Sequence, residues 1–170
     1  MPKPDLTKQF MTAYEQLADP IFRHCYLRVS DRELGKDLMQ ESFIRTWQYL
    51  QAGNTIDNLK AFIYRTANNL IIDYYRKKKA DSLDQLVEKG FDVTGDNSDG
   101  IEQVADYHGA LALLTELADD YRQVLTLRFV EDLPVKEIAQ MVGETPNLVS
   151  VRIHRGLKLL RELLENGNHK

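Results

Sequence analysis

The stretch LPVKEIAQMVGETPNLVSVRIHRGLK, residues 133–158, decides the fold. Pro134 has the fixed φ that suits a first helical turn, and a short amphipathic run from Val135 to Val142 follows it. Gly143 then supplies a left-handed C-terminal residue. Thr145 is placed to cap a new helix, with Pro146 at its first position. That helix carries Val149, Ile153, Leu157, Leu160 and Leu164 on one side. Arg152, Arg155, Lys158 and Arg161 give it a charge of +4 before its first acid, Glu162. Two helices joined by a tight glycine turn, the second of them basic, predict a helix-turn-helix. A major groove admits one helix, whose N-terminal half must offer short polar and basic side chains to base edges while the first helix braces it. Asn147, Leu148, Ser150, Val151, Arg152, His154, Arg155 and Lys158 form the exposed set. A helical hairpin whose second helix is merely basic is the alternative the pattern allows.

Working outward, nine glycines and five prolines in 170 residues leave long stretches of three- and four-residue apolar spacing, and no convincing strand. From Asp5 to about Val29 the stripe is Leu6, Phe10, Ala13 or Tyr14, Leu17, Ile21 and Cys25, with a bend or break expected near Asp19-Pro20. A second helix carries Leu34, Leu38, Phe43 and Trp47, and Ser30 with Glu33 has the form of a capping box. Gln51 to Asn58 is rich in turn formers and reads as a loop. A third helix runs from about Leu59 to Lys79. Helical periodicity returns at Val104 and continues through Leu117 to Phe129.

Charge is distributed in blocks. Lys plus Arg is 22 against 26 for Asp plus Glu, so the net charge of −4 gives no general sign of a nucleic-acid partner. Yet between Leu59 and Lys79 stand Lys60, Arg65, Arg76, Lys77, Lys78 and Lys79 against Asp73 alone, a local +5. Phe62, Tyr64, Tyr74, Tyr75, Asn68 and Asn69 share that helix, and bases, rings and amides together suit unstacked nucleotides. The other reading places Phe62 and Tyr74 in the core, with Arg76 to Lys79 as a solvated helix end complementing the macrodipole. Between Ala80 and Gly109 eight acids face Lys89 alone, and turn formers cluster from Gly90 to Gly100, as in a solvated acidic linker. The expected fold is therefore all-α, with helical domains at 5–79 and 105–166 joined by a flexible linker at 80–104.

Catalytic readings find little support. His24, His108, His154 and His169 lack metal-ligand spacing, no phosphate-cradling glycine loop is present, and the single Cys25 lies on an apolar stripe. No catalytic residue, cofactor or metal is expected. One cysteine, no run near the roughly 18 apolar residues of a spanning helix and no apolar N-terminal leader give the expectation of a cytoplasmic protein without membrane insertion.

Three segments in register resemble one family: Asp37 to Trp47 (DLMQESFIRTW), Ala61 to Lys77 (AFIYRTANNLIIDYYRK) and the helix-turn-helix. Together they resemble the extracytoplasmic-function (ECF) group of bacterial RNA polymerase sigma factors, over roughly residues 10–79 and 111–164. The resemblance implies a non-enzymatic factor that binds core RNA polymerase and directs promoter-specific initiation. Its region 2 would melt and read the −10 element as single strand, and its region 4 would read the −35 element as duplex. Asp37, Gln40, Glu41 and Ile44 share a helical face away from Phe43 and Trp47, and would contact the polymerase clamp. Asn54, Thr55, Asn58, Lys60, Phe62, Arg65, Asn68, Asn69, Arg76 and Lys77 would engage the −10 strand, a flipped base needing a pocket such as this loop offers. Tyr64 and Asp73 match the motif as structural residues. Phe62 stands where the family has Trp and Asn68 where it has a base, while Ser150 and Val151 replace a basic residue and Ser. An anti-sigma factor is the class of regulator implied, and it would have to cover the same surfaces. The linker would run towards the RNA exit path, its acids imitating nucleic acid. A stand-alone helix-turn-helix regulator of duplex DNA is the rival, although no ligand-sensing domain or heptad seam is evident.

Overall fold

The computed structural model describes residues 4–88 and 112–167, and every regular element among them is helical. Helix α1 (Pro4–Val29), α2 (Arg32–Gln51) and α3 (Leu59–Glu88) pack against one another around Leu17, Ile21, Cys25, Leu38, Phe43, Ile63, Ala67 and Ile71. Phe10 closes one end, with ring centroids 4.9 Å from Trp47 and 6.1 Å from Phe43. Burial of an apolar face on each helix, at about 25 cal/mol per Å² removed from water, drives this packing. The second group comprises α4 (Asp119–Leu125), which continues through a π-helical turn at Thr126–Val130, then α5 (Val135–Val142) and α6 (Pro146–Gly167).

Local chemistry accounts for the boundaries. Asp31, not Ser30, caps α2: its side chain accepts from the Leu34 amide at 3.1 Å, while Ser30 turns the chain with φ at 56°. No break occurs at Pro20, through which α1 runs continuously. Proline there removes one helical hydrogen bond, and the buried Leu17, Ile21, His24 and Cys25 hold the helix in place against that loss. Helix α3 reaches Glu88, nine residues past Lys79, because no glycine or proline interrupts the chain before Gly90. Expectations for most of the acidic linker, including the periodicity from Val104 to Leu111, lie outside the described residues. Beyond them, a turn at Thr115–Glu116 and an extended Ala118 interrupt the helix expected to continue to Phe129. Gly143 is left-handed with φ 72°, and Thr145 Oγ1 accepts from the Leu148 amide at 3.2 Å, as the sequence predicts. Leu164 is 47% exposed, so the stripe of α6 turns outward there and Leu163 packs instead.

The two helical groups meet through polar contacts. Arg28 of α1 is 1% exposed. Its Nε donates to Asp119 Oδ1 at 2.9 Å, its Nη2 reaches Asp119 Oδ2, and its Nη1 donates to Asn68 Oδ1 at 2.6 Å. Gln123 donates to the same Asn68 oxygen, and Arg122 donates to the Arg28 carbonyl at 2.7 Å. His24 lies one turn before Arg28, with Nε2 3.4 Å from Nη1. Desolvation, reinforced by the Arg28 charge, holds the His24 imidazole well below its ordinary pKa of 6.5.

Two outcomes follow from this packing. A Cβ on Gly35 would lie 3.1 Å from the Tyr26 backbone, which has no flexible end to yield. Gly35→Ala therefore costs about 1–3 kcal/mol of overpacking against about 1 kcal/mol of helix propensity recovered, and urea unfolding should show a net loss of stability. His24 stays neutral when folded but protonates freely when unfolded, so unfolding takes up a proton. Its contribution is complete above pH 6.5 and declines as pH falls below that value towards the lowered folded one, by at most about 1.4 kcal/mol per pH unit. Urea midpoints taken across this range should fall, and His24→Gln should remove that part of the slope.

Candidate nucleic-acid and polymerase interfaces

The recognition helix α6 places the sequence-predicted set as expected. Asn147, Leu148, Ser150, Val151, His154, Arg155 and Lys158 are exposed, while Val149 and Ile153 anchor the opposite side. Gly156 lets α6 approach α4, since a Cβ there would meet Leu125 Cδ1 at 3.0 Å. Arg152 is half-buried, its Nη2 3.4 Å from Glu144 Oε1, which aims it back towards the turn. The rigid support is α5, whose Ile138, Ala139 and Met141 are buried.

On α2, Asp37, Gln40 and Ile44 are exposed and Glu41 is partly so, paired with Arg45 at 2.9 Å. Ile44 is 50% exposed, and beside it Met11 and Tyr14 of α1 are 50% and 38% exposed. Tyr14 rests edge-on against Phe43 with centroids 4.9 Å apart. Ile44, Met11, Tyr14, Trp47 and Gln40 thus line one shallow apolar groove. Sequence reasoning placed Met11 and Tyr14 on or beside the core stripe of α1; their exposure follows from α2 covering only one side of that helix. An apolar surface with a polar border is a feature of protein-binding faces.

The loop after α2 and the start of α3 form the third surface. Asn54 donates to the Tyr49 carbonyl at 3.1 Å, and Asn58 caps α3 by accepting from the Ala61 amide at 3.0 Å. Phe62 packs against Tyr49 with centroids 4.9 Å apart, an aromatic pair of which the sequence reading held only Phe62. Thr55, Arg65, Asn69, Arg76 and Lys77 are exposed, Arg76 lying 3.9 Å from Asp73. Asn68 departs from expectation. It is 7% exposed and fully engaged by Arg28 and Gln123, so in this arrangement it faces the second helical group rather than solvent. Tyr64 is buried, as its structural reading required, and burial raises its hydroxyl pKa. Burial likewise pushes the Cys25 thiol up to about 12, which leaves it inert as a nucleophile at neutral pH.

Comparison with known families and proteins agrees with this layout. Sigma-70 region 2 matches residues 13–80, and sigma-70 region 4 matches residues 109–160. The ECF RNA polymerase sigma factor SigW of Bacillus subtilis is 29% identical, with 87% of this chain and 84% of the relative covered. RNA polymerase sigma factor SigV of the same organism is 27% identical over 95% of each chain. Among solved structures, the sigma factor RpoE of Bartonella quintana, crystallised with the anti-sigma factor NepR, superposes with a TM-score of 0.72 at 19% identity. That match covers 93% of this chain and 98% of the other. CnrH, solved with the cytosolic domain of CnrY, superposes at 0.68 and 18% identity over 94% and 90% of the two chains. With regions 2 and 4 in order on an all-helical chain, and relatives matched along almost their whole length, the protein belongs to the ECF group of sigma factors, which direct RNA polymerase to promoters.

Proposed function

We propose that the two helical groups divide promoter recognition, residues 5–79 binding core polymerase and the −10 element and residues 105–166 binding the −35 element. The observation that carries this reading is the separation of three surfaces of different chemistry: an apolar groove on α1 and α2, a loop and helix rich in amides, aromatics and bases on α3, and a basic exposed face on α6. Asp37, Gln40, Glu41 and Ile44, joined by Met11 and Tyr14, suit a protein partner. Asn54, Thr55, Asn58, Lys60, Phe62, Arg65, Asn69, Arg76 and Lys77 suit a single strand whose bases stack and whose phosphates are neutralised. Asn68 joins them once the second group withdraws. Asn147 to Lys158 on α6 suit a major groove.

Catalysis in this scheme belongs to the polymerase, and the sigma factor supplies binding energy alone. Captured bases offset the few kcal/mol that each unstacking costs. The reading needs no cofactor or metal, and it places the protein in the cytoplasm, where the polymerase works. No helix among the described residues is long and apolar enough to cross a membrane. The RpoE and CnrH structures were each solved with an anti-sigma partner or its cytosolic domain, which supports the same class of regulator here.

Run-off transcription with core polymerase, on DNA fragments selected by the holoenzyme itself, tests the scheme. Initiation at defined sites only when the protein is present is expected; tight duplex binding by the free chain with no initiation would favour a stand-alone regulator. Ile44→Asp should weaken core binding about tenfold or more while leaving helicity intact, as read by competition for core. Arg155→Ala should cost about 1–3 kcal/mol in promoter affinity and relax preference at one position of the −35 element, whereas Lys158→Ala should weaken all sequences alike and reduce the salt dependence.

A further inference from the structure

The surface assigned to the −10 strand is occupied by the protein's own second helical group. Asn58 of the loop donates to Gln140 Oε1 of α5 at 2.9 Å, and Lys60 Nζ lies 2.9 Å from Glu137 Oε1 of the same helix. The Arg65 guanidinium lies against Gly143, where even an added Cβ would come within 3.5 Å of it. Asn68 is sealed by Gln123 and Arg28. Chemically, Glu137 offers Lys60 a carboxylate where a nucleic acid would offer a phosphate, and Gln140 offers Asn58 an amide where it would offer a base edge. The contact continues on α1, where Arg23 Nη2 pairs with Glu131 Oε2 at 3.0 Å. At its centre lies Arg28, paired with Asp119 and excluded from water.

We propose that the free sigma factor is self-masked: a buried polar latch centred on Arg28 and Asp119 closes region 4 over the −10-reading surface of region 2, and promoter capture requires this latch to open. The inference rests on the −10 assignment made above. The recognition face of α6 and the apolar groove of α1 and α2 stay open in the closed state. Polymerase can therefore engage a closed molecule, and single-stranded DNA cannot. Masking lowers apparent affinity by the fraction of open molecules, so a state open one time in ten or fewer weakens −10 strand binding about tenfold or more.

The test uses the full chain with spin labels at Lys36→Cys and Glu165→Cys, both exposed and outside the assigned surfaces. Pulsed dipolar spectroscopy should give one narrow distance distribution in the wild-type background and a broader, longer one with Asp119→Asn. The same Asp119→Asn chain should bind a fluorescent single-stranded oligonucleotide of the mapped −10 sequence at least tenfold more tightly. A second variant, R23C/E131C, is bridged across the closed contact by a cleavable thiol cross-linker. The bridged protein should fail to initiate with core polymerase and recover on adding reductant. A broad distribution in the wild-type background, or full initiation by the bridged protein, would overturn the latch. Opening by Asp119→Asn with no gain in oligonucleotide binding would overturn the masking. Lys60→Ala in holoenzyme tests the −10 assignment separately, since the interdomain distance does not depend on it. If Asp119→Asn loses its cooperative thermal transition, the bridged variant still decides the matter.

Discussion

Everything in the closed molecule depends on keeping the Arg28 guanidinium out of water. Desolvating a cation costs several kcal/mol even after relaxation, and only well-formed hydrogen bonds to an opposite charge repay it. Asp119 meets two guanidinium nitrogens and Asn68 a third position, so one side chain from α1 fixes the places of α3 and α4 together. The second shell follows from the same constraint. His24 must be neutral beside a buried cation, Gln123 must face Asn68, and Tyr75 and Arg122 both donate to the Arg28 carbonyl. A charge that is costly to bury thus selects one relative position of two helical groups, where apolar packing would accept several.

That choice distributes access among the three interfaces. Helix α5 lies against α3, so its short length and apolar inner face serve the helix-turn-helix while its outer residues Glu137 and Gln140 are turned towards region 2. Helix α6, beyond the Gly143 turn, points its polar side elsewhere. Lengthening α5 by a turn would displace the recognition helix and the contact with α3 at once. The left-handed Gly143 therefore has two consequences: it ends α5, and it presents a surface without a side chain to Arg65.

Local order was legible in the sequence, and long-range pairing was not. Pro134, Gly143, Thr145 and Pro146 act within a few residues of themselves, so the helix-turn-helix could be read with its ends nearly in place. The face of α6 followed from periodicity, and its misassigned member, Leu164, lies where the helix runs out of partners to cover it. Asn68 was misjudged for a different reason. An amide among bases looks the same whether it awaits a nucleotide or an arginine 40 residues earlier, and nothing in local spacing distinguishes the two. Arg28 was likewise read merely as one of two alternatives on an apolar stripe, because a buried cation is identified by its partner and Asp119 is 91 residues away. Met11 and Tyr14 show the converse: apolar residues at helical spacing are assigned to the core until the number of covering helices is known.

The character of the interdomain contact also sets its strength. Arg23–Glu131 and Lys60–Glu137 are partly exposed pairs, a kind typically worth about 0–1 kcal/mol each and screened by salt. The Arg28 cluster is stronger against loss of one partner, about 3–5 kcal/mol, than against separation into water, where both charges recover hydration. Two polar surfaces that rehydrate on parting therefore give a closed state favoured by only a few kcal/mol, and 2.7 kcal/mol already corresponds to about one open molecule in a hundred. A nanomolar complex represents about 12 kcal/mol, so a partner that binds the open form better needs to commit only a fraction of its affinity to shift the equilibrium. An apolar interface of the same extent would resist such a shift. A contact built from ions and amides instead specifies one closed geometry while remaining within reach of the binding energy available to polymerase and promoter.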